Sequence, residues 1–190
     1  MRKIVVFTNL TLDGVMQAPG RPDEDTRGGF SHGGWGAPYA AMSYVNNSSL
    51  DTGPLLFGRR TYEDFYSVWP NRTDNPYTEI LNNAQKYVAS NTLKEPLPWV
   101  NSILLSGDVP AAIAELKSQP GKNFLVMGSG VLIQTLMQHN LVDLYVLLVH
   151  PLILGSGHRL FAEGSPYTSL KMLEMKSTPN GVAILTYQPA

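Results

Sequence analysis

The 190-residue chain contains no cysteine. That excludes a disulfide framework, a thiol nucleophile and a thiolate metal site together. It also lacks an excess of either charge: 14 Lys and Arg stand against 15 Asp and Glu, for a formal net charge of −1. Nucleic-acid and anionic-surface binders rest on a basic patch, and these cations are scattered along the chain. No run approaches the ~18 consecutive apolar residues of a membrane helix. The opening "MRKIVVFTNL" lacks the long apolar region and small-residue cleavage site of a signal peptide, so it reads as a first strand. The expectation is a cytoplasmic protein with a small-molecule partner and neither a nucleic-acid nor a membrane partner. No internal repeat or linker divides the chain, so residues 1–190 are expected to form a single domain.

What is present is an alternation of short apolar strands and helices. "KIVVFTNLTL" (3–12), "PLLFG" (54–58), "KYVAS" (86–90), "SILLS" (102–106) and "NFLVMG" (123–128) read as strands,. "DLYVLLVHPLIL" (143–154) reads as a strand too apolar to have an exposed face,. Between them, helices are predicted over 38–50, 60–69, 76–84, 108–121 and 131–138, with Asp108 capping the fourth,. Strand–helix–strand repeats imply a mostly parallel sheet covered by helices on both faces. "SLKMLEMKS" and "GVAILTYQ" flank "TPNG", an Asn-Gly hairpin signature, so an antiparallel hairpin is expected to close the sheet,. Residues 17–37 are rich in glycine and proline and have no period. A stretch of roughly twenty such residues is commonly a lid or a binding loop.

Three segments point to phosphate chemistry. In "LLFGRRTYEDF" (55–65) a strand becomes a helix at Gly58, followed by Arg59, Arg60 and Thr61. A helix start exposes unpaired N–H groups and a positive dipole end, so an anion is its natural occupant. "VMGSGVLIQTL" (126–136) puts Gly128 and Gly130 at a second such junction. The complete dinucleotide fingerprint would want glycine where Ile133 stands, and no Walker Gly-Lys-Ser/Thr follows,. "ASNT" (89–92) supplies polar groups at the carboxyl end of a third strand, where open α/β sheets bind ligands,. A pyrophosphate across the two helix ends, with a further phosphate on Arg59, Ser90 and Asn91, accounts for all three.

"TLDG", "LLFGRRTYEDF", "KYVASNTL" and above all "GSGVLIQTLMQHNLVDLYVLLVHPLILGSGHRLF" resemble the dihydrofolate-reductase-like superfamily. The closest resemblance is to the C-terminal reductase domain of the bifunctional riboflavin-biosynthesis deaminase-reductases and its stand-alone relatives. It implies the dihydrofolate-reductase-like three-layer α/β sandwich, NADPH as cofactor, a homodimer, and hydride transfer to a pyrimidine- or pteridine-type substrate. It also implies site residues. Gly58, Arg59, Arg60 and Thr61 become pyrophosphate and 2′-phosphate contacts, and Ser90, Asn91 and Thr92 adenosine-end contacts. Gly128, Ser129, Gly130, Val131 and Leu132 become a second phosphate-facing loop, while Thr8, Gly14 and Val15 lie near the nicotinamide.

Two departures bear on the substrate. Met127 stands where the riboflavin reductases usually carry glutamate, and the 38–50 segment lacks the carboxylate of the folate reductases, offering Tyr39, Ser43, Tyr44 and Asn46 instead. Weak dihydrofolate reductase activity and a non-catalytic nucleotide-binding module are therefore the alternatives to a reductase. Asp13, at the end of the first strand, is the candidate proton source, or else a plain Asp-Gly turn. Trp35 is a candidate to stack on a substrate ring, or else a loop anchor. Asp23, Glu24 and Asp25 read as a solvated run. Arg159 reads as a substrate-phosphate contact or a surface pair. His150 and His158 have no third ligand near them, so they read as structural and no metal is expected.

Overall fold

The computed structural model describes residues 1–44 and 50–190. Eight strands join one sheet: β1 (Ile4–Thr11), β2 (Thr52–Gly58), β3 (Lys86–Ala89), β4 (Ser102–Leu105), β5 (Asn123–Met127), β6 (Leu144–His150), β7 (Leu170–Ser177) and β8 (Ala183–Pro189). Their order is β4-β3-β2-β5-β1-β6-β8-β7. The pairs from β4 to β6 are parallel, and β8 runs antiparallel to both β6 and β7. This is the mixed α/β sheet closed by an antiparallel hairpin that the repeat pattern and Asn180-Gly181 predict.

The helices divide between the two faces. α1 (Arg59–Val68) and α2 (Tyr77–Asn83) cover one, where Tyr62, Leu81 and Trp99 pack on Val5, Phe7, Phe57 and Val88. α3 (Val109–Ser118) and α4 (Gly130–Gln138) cover the other, where Ile113, Ile133 and Leu136 pack on Ile4, Val6, Phe124 and Val126. Consecutive residues of β1 thus alternate between two cores, which is why the strand shows no polar face. β1 lies between β5 and β6, so its carboxyl end opens at the middle of the sheet.

Two elements depart from expectation. Over 37–44 the expected helix gives way to two 3-10 turns, Ala37–Tyr39 and Ala41–Tyr44, separated by Ala40 in the left-handed region (φ 46). A left-handed residue ends a right-handed helix, and nothing in an Ala-rich stretch announces it. The rest of that expectation, residues 45–49 with Asn46, lies outside the described residues. The 143–154 strand stops at His150, because Pro151 has no N–H to give a ladder,. Beyond it the chain folds against the first turn, with the Leu12 N–H donating to the Leu152 carbonyl at 2.8 Å. No helix among the described residues is long and apolar enough to cross a membrane.

Candidate functional site

β2 and β5 are neighbours, yet β2 leads into α1 on one face and β5 into α4 on the other. Chains that leave adjacent strands toward opposite faces open a crevice at the carboxyl edge. A cleft of ≈ 1730 Å³ occupies it and is lined as well by the 17–37 loop. Single small-ligand pockets run to roughly 300–1,000 Å³, so this one has room for two ligands.

The two helix starts are built as a unit. The Gly58 N–H donates to the Ser129 hydroxyl at 2.8 Å, tying the β2–α1 junction to the β5–α4 junction. Gly128 (φ 69) and Ser129 (φ 68) both sit in the left-handed region, natural for glycine and strained for serine,. Gly130 lies close under Met16: a Cβ there would stand 3.0 Å from its sulfur, so the thioether would have to give way slightly to any larger residue. Ser129 stands at the N-cap position of α4 but spends its hydroxyl on Gly58, so α4 has no side-chain cap, and neither has α1. α3 has a capping side chain, and α2, whose N-cap Pro76 makes none, has an acceptor on the residue before it. Asn75 Oδ1 takes the Tyr77 N–H at 2.9 Å and Asp108 Oδ1 takes the Ala111 N–H at 3.0 Å. The first-turn donors of α1 and α4 are thus left for something else.

The cations follow the same edge. Arg59 and Arg60 both line the cleft. Arg59 Nη1 pairs with Glu63 at 3.2 Å, one turn on, with both side chains partly exposed. Arg60 makes no ion pair among the described residues. Thr61 lies beside Gly128, its Cγ2 3.8 Å from where a Cβ would stand there. Val131 and Leu132 of α4 also line the cleft. Ser90, Asn91 and Thr92 line it too, but two of their oxygens are already used. Ser90 Oγ accepts the Thr92 and Leu93 N–H groups, and Asn91 Oδ1 accepts that of Gly107. The Ser90 and Thr92 hydroxyls also share a hydrogen bond at 3.3 Å, so what the three residues can still offer a ligand is the Asn91 amide N–H₂ and whichever hydroxyl proton is not used in that bond.

On the other side of the cleft several expectations change. Of Thr8, Gly14 and Val15, Thr8 lines the cleft, whereas Val15 is fully buried against Ala18, Phe30 and Trp35, and Gly14 turns the chain at φ 79. Asp13, the expected proton source, is held as a hydrogen-bond acceptor. Its carboxylate accepts the Thr11 hydroxyl at 2.5 Å and the Gly155 and Leu154 N–H groups at 2.9 and 3.2 Å, with Arg159 at 3.6 Å. These bonds, the Thr11 hydroxyl first, pull its pKa from 3.8 to about 2, so it holds no proton near neutrality and serves to pin 151–155 to the first turn,. Arg159 belongs to that clasp, its Nε donating to the Asp13 carbonyl at 2.9 Å.

Trp35 is placed as a loop anchor and is not among the residues that line the cleft. It is buried, its indole N–H donates to the Gln17 carbonyl at 2.7 Å, and its ring meets His150 edge-on at 5.1 Å. Gln17 itself is a buried clasp that the sequence gives no means to single out. Its amide donates to the carbonyls of Asp25 and Arg27 and accepts the His158 N–H. Arg21 reaches from the loop to Asp64 on α1 at 2.5 Å.

Of the supposed solvated run, Asp23 is exposed, while Glu24 and Asp25 are drawn into the loop. Burial raises Asp25, but hydrogen bonds from Arg27 outweigh it and the net shift is downward. Burial also raises Glu24, and the Gly20 and Arg21 N–H groups on its Oε2 do not offset it. Glu24 lines the cleft with its pKa raised above the ordinary carboxylate value by burial, a property that no reading of three acidic residues in a row reveals,. Among the described residues no cluster of three or more His, Asp or Glu side chains stands close enough to hold a metal ion.

Known proteins resemble the chain along almost its entire length. The uncharacterized Bacillus subtilis proteins YyaP and YwjB are 27% and 25% identical, over 98% and 96% of this chain and 94% and 96% of their own. A putative riboflavin biosynthesis protein from Shewanella sp. PV-4 superposes with a TM-score of 0.68 at 24% identity, covering 99% of each chain. A pyrimidine reductase-like protein from Corynebacterium diphtheriae superposes with a TM-score of 0.65 at 13% identity, over 100% of this chain and 92% of the other. The dihydrofolate reductase of Enterococcus faecalis, solved with NADP(H), gives 0.63 at 12% identity, over 98% and 96%. These superpositions place the fold in the dihydrofolate-reductase-like group. The sequence of residues 2–184, which runs from the first strand through both helix junctions into the closing hairpin, matches the RibD C-terminal domain, and the chain belongs to that family of reductase-like domains.

Proposed function

We propose that the protein is an NADPH-dependent reductase acting on a small pyrimidine- or pteridine-type substrate. The observation that carries this reading is the pair of uncapped helix starts, α1 and α4, locked together by Ser129 and Gly58 beside Arg59 and Arg60. First-turn N–H groups of both helices suit a pyrophosphate, and Arg59 at the first position of α1 suits the 2′-phosphate. Gly58, Gly128 and Gly130 keep the backbone bare where the phosphates would lie. Thr61, Val131 and Leu132 flank that track, and Ser90, Asn91 and Thr92 would border the adenosine end.

When bound, NADPH supplies the hydride. The chain's own part is to hold the two ligands against each other, exclude water and deliver a proton. Thr8 sits where β1 opens into the cleft and would flank the nicotinamide. For the proton we assign Glu24. The other described cleft carboxylates, apart from exposed Asp23, are engaged by arginine: Asp25 by Arg27, Glu63 by Arg59 and Asp64 by Arg21. Burial that raises a carboxyl favours its protonated form, which is the form a general acid needs,. Dihydrofolate is expected to be a poor substrate, since the 38–50 segment contains no carboxylate to hold a pterin.

The assembly we propose is a homodimer formed through β7, an edge strand whose consecutive Met172 and Leu173, with Met175, are exposed,. Light scattering at micromolar concentration is expected to give two copies per particle, and single copies would contradict it.

Titration of tryptophan fluorescence with NADPH, followed by NADPH oxidation with aminopyrimidines and dihydropteridines in turn, tests the function. Binding with turnover of one of these classes supports the reading. Binding with no turnover of either would make the chain a nucleotide-binding module, and no binding would overturn the reading altogether.

A further inference from the structure

The substrate half of the cleft contains a polar pair, half-buried Asn9 and buried His150, that the reductase reading leaves unused. Asn9 on β1 lines the cleft. It shares a face of the sheet with Phe7 and, across the β1–β6 ladder, with His150 beside Thr11. His150 Nε2 lies 2.9 Å from Asn9 Oδ1. The imidazole is fully buried, met edge-on by Trp35 at 5.1 Å and Tyr39 at 5.0 Å. Its Nδ1 is buried and has no hydrogen-bond partner. Burial lowers its pKa from 6.5 to about 4, so it is neutral near pH 7 and carries one N–H.

Two arrangements satisfy the contact, and they differ in cost. If Nδ1 carried the proton, the Asn9 amide would donate to Nε2 and a buried N–H would be orphaned. If Nε2 carries it, His150 donates to Asn9 Oδ1 and only a bare lone pair goes unmet. Orphaned buried N–H groups are the rarer and costlier outcome. With Oδ1 occupied by His150, the Asn9 amide N–H₂ has no acceptor within the described protein and stands at the cleft wall.

We propose that Asn9 sets ligand specificity in this half of the cleft by presenting a fixed hydrogen-bond donor, and that His150 is the positioning residue that stops the amide from turning over. The proposal rests on the reductase reading and narrows its substrate. The ligand edge that meets Asn9 carries an acceptor, so an oxo-substituted pyrimidine is favoured over an amino-substituted one. A site built around a donor discriminates because the wrong partner leaves two donors facing each other.

The test has a spectroscopic arm and a binding arm, with a near-wild-type melting temperature marking each variant as folded. Nitrogen NMR of the wild-type imidazole is expected to show the proton on Nε2; a proton on Nδ1 would overturn the orientation argument. Competition between diaminouracil and tetraaminopyrimidine, in the presence of NADPH, is expected to favour the uracil by on the order of tenfold, the worth of one hydrogen bond. Asn9→Asp replaces the donor by an acceptor and is expected to move the preference toward the tetraamino compound by at least as much. His150→Phe is expected to erase the discrimination and His150→Gln, which can still donate to Oδ1, to restore it. An unchanged preference in Asn9→Asp, or equal loss in both His150 variants, would overturn the proposal. Wild-type protein that binds NADPH but neither pyrimidine would overturn it too while leaving the cofactor assignment standing. Protein that binds a pyrimidine with the stated preference but no NADPH would support the proposal and overturn the cofactor assignment.

Discussion

The two halves of the cleft are held together by different means. The nucleotide half is two strand–helix junctions on adjacent strands, bridged by one hydrogen bond from Gly58 to Ser129. Its groups are backbone N–H donors of regular elements, placed by the sheet itself. The substrate half is irregular chain held by side chains distant in sequence. Asp13 fixes residues 154 and 155, Gln17 fixes His158, and His150 fixes Asn9, each across about 141 positions. A phosphate site can be generic and therefore built from backbone, whereas substrate recognition needs chosen side chains in chosen orientations.

If the proton is delivered from the irregular half, Glu24→Gln should have the largest effect. Loss of a positioned acid removes a factor of roughly 10² to 10⁴ in rate. With a turned-over pyrimidine or pteridine, kcat is expected to fall by that much and the NADPH dissociation constant to hold. A kcat within a few-fold of wild type would move the proton source elsewhere.

Acid should also strike this half first. His150 titrates at 6.5 when unfolded and at about 4 when folded. Between these values the unfolded chain binds more protons, so stability is complete above 6.5 and falls as pH drops toward 4. The loss is up to about 3 kcal/mol at 1.36 kcal/mol per pKa unit. Asp13, held at about 2 against an ordinary 3.8, adds its loss only below that window. Urea unfolding at pH 7 and pH 4.5 is expected to show the drop in wild type and a smaller one in His150→Gln; equal drops would remove His150 as the cause.

The regular half predicts a cofactor-specific effect. A charged hydrogen bond is worth roughly 1.5–3 kcal/mol, so Arg59→Ala should weaken NADPH binding about ten- to a hundredfold. NADH binding should barely change. Equal losses for both would assign Arg59 to the pyrophosphate or to its pair with Glu63.

The smallest expected effect concerns the loop clasp. Gln17→Leu deprives two carbonyls and one N–H of a buried partner. A cost of about 1–3 kcal/mol is expected, seen as a lower urea midpoint with an unchanged slope. A stability equal to wild type would show that solvent replaces the clasp.

This contrast also accounts for what the sequence discloses. Strand–helix alternation, the hairpin at Asn180-Gly181 and the two junctions at Gly58 and Gly128–Gly130 are local patterns, and a local pattern survives in the order of residues. Ser129 is legible as part of such a junction, though not its bond to Gly58, 71 positions away. Asp13 and Trp35 draw attention by residue type but owe their roles to partners that only folding brings near. Gln17, Glu24 and Asn9 have no local signal at all: a buried glutamine and a raised carboxyl are properties of surroundings. The break in the expected helix at Ala40 has the same origin, since that left-handed residue is not a glycine that would mark it.

The central claim is that the unsatisfied first-turn N–H groups of α1 and α4 receive the cofactor's phosphates. Amide NMR of the labelled protein, with and without NADPH, addresses it directly. The account predicts large shifts for the Arg60, Thr61, Val131 and Leu132 amides and little change at Thr78 and Ala111, on the helices that carry their own side-chain acceptors. Shifts confined to other parts of the chain, or equal across all four helix starts, would contradict it.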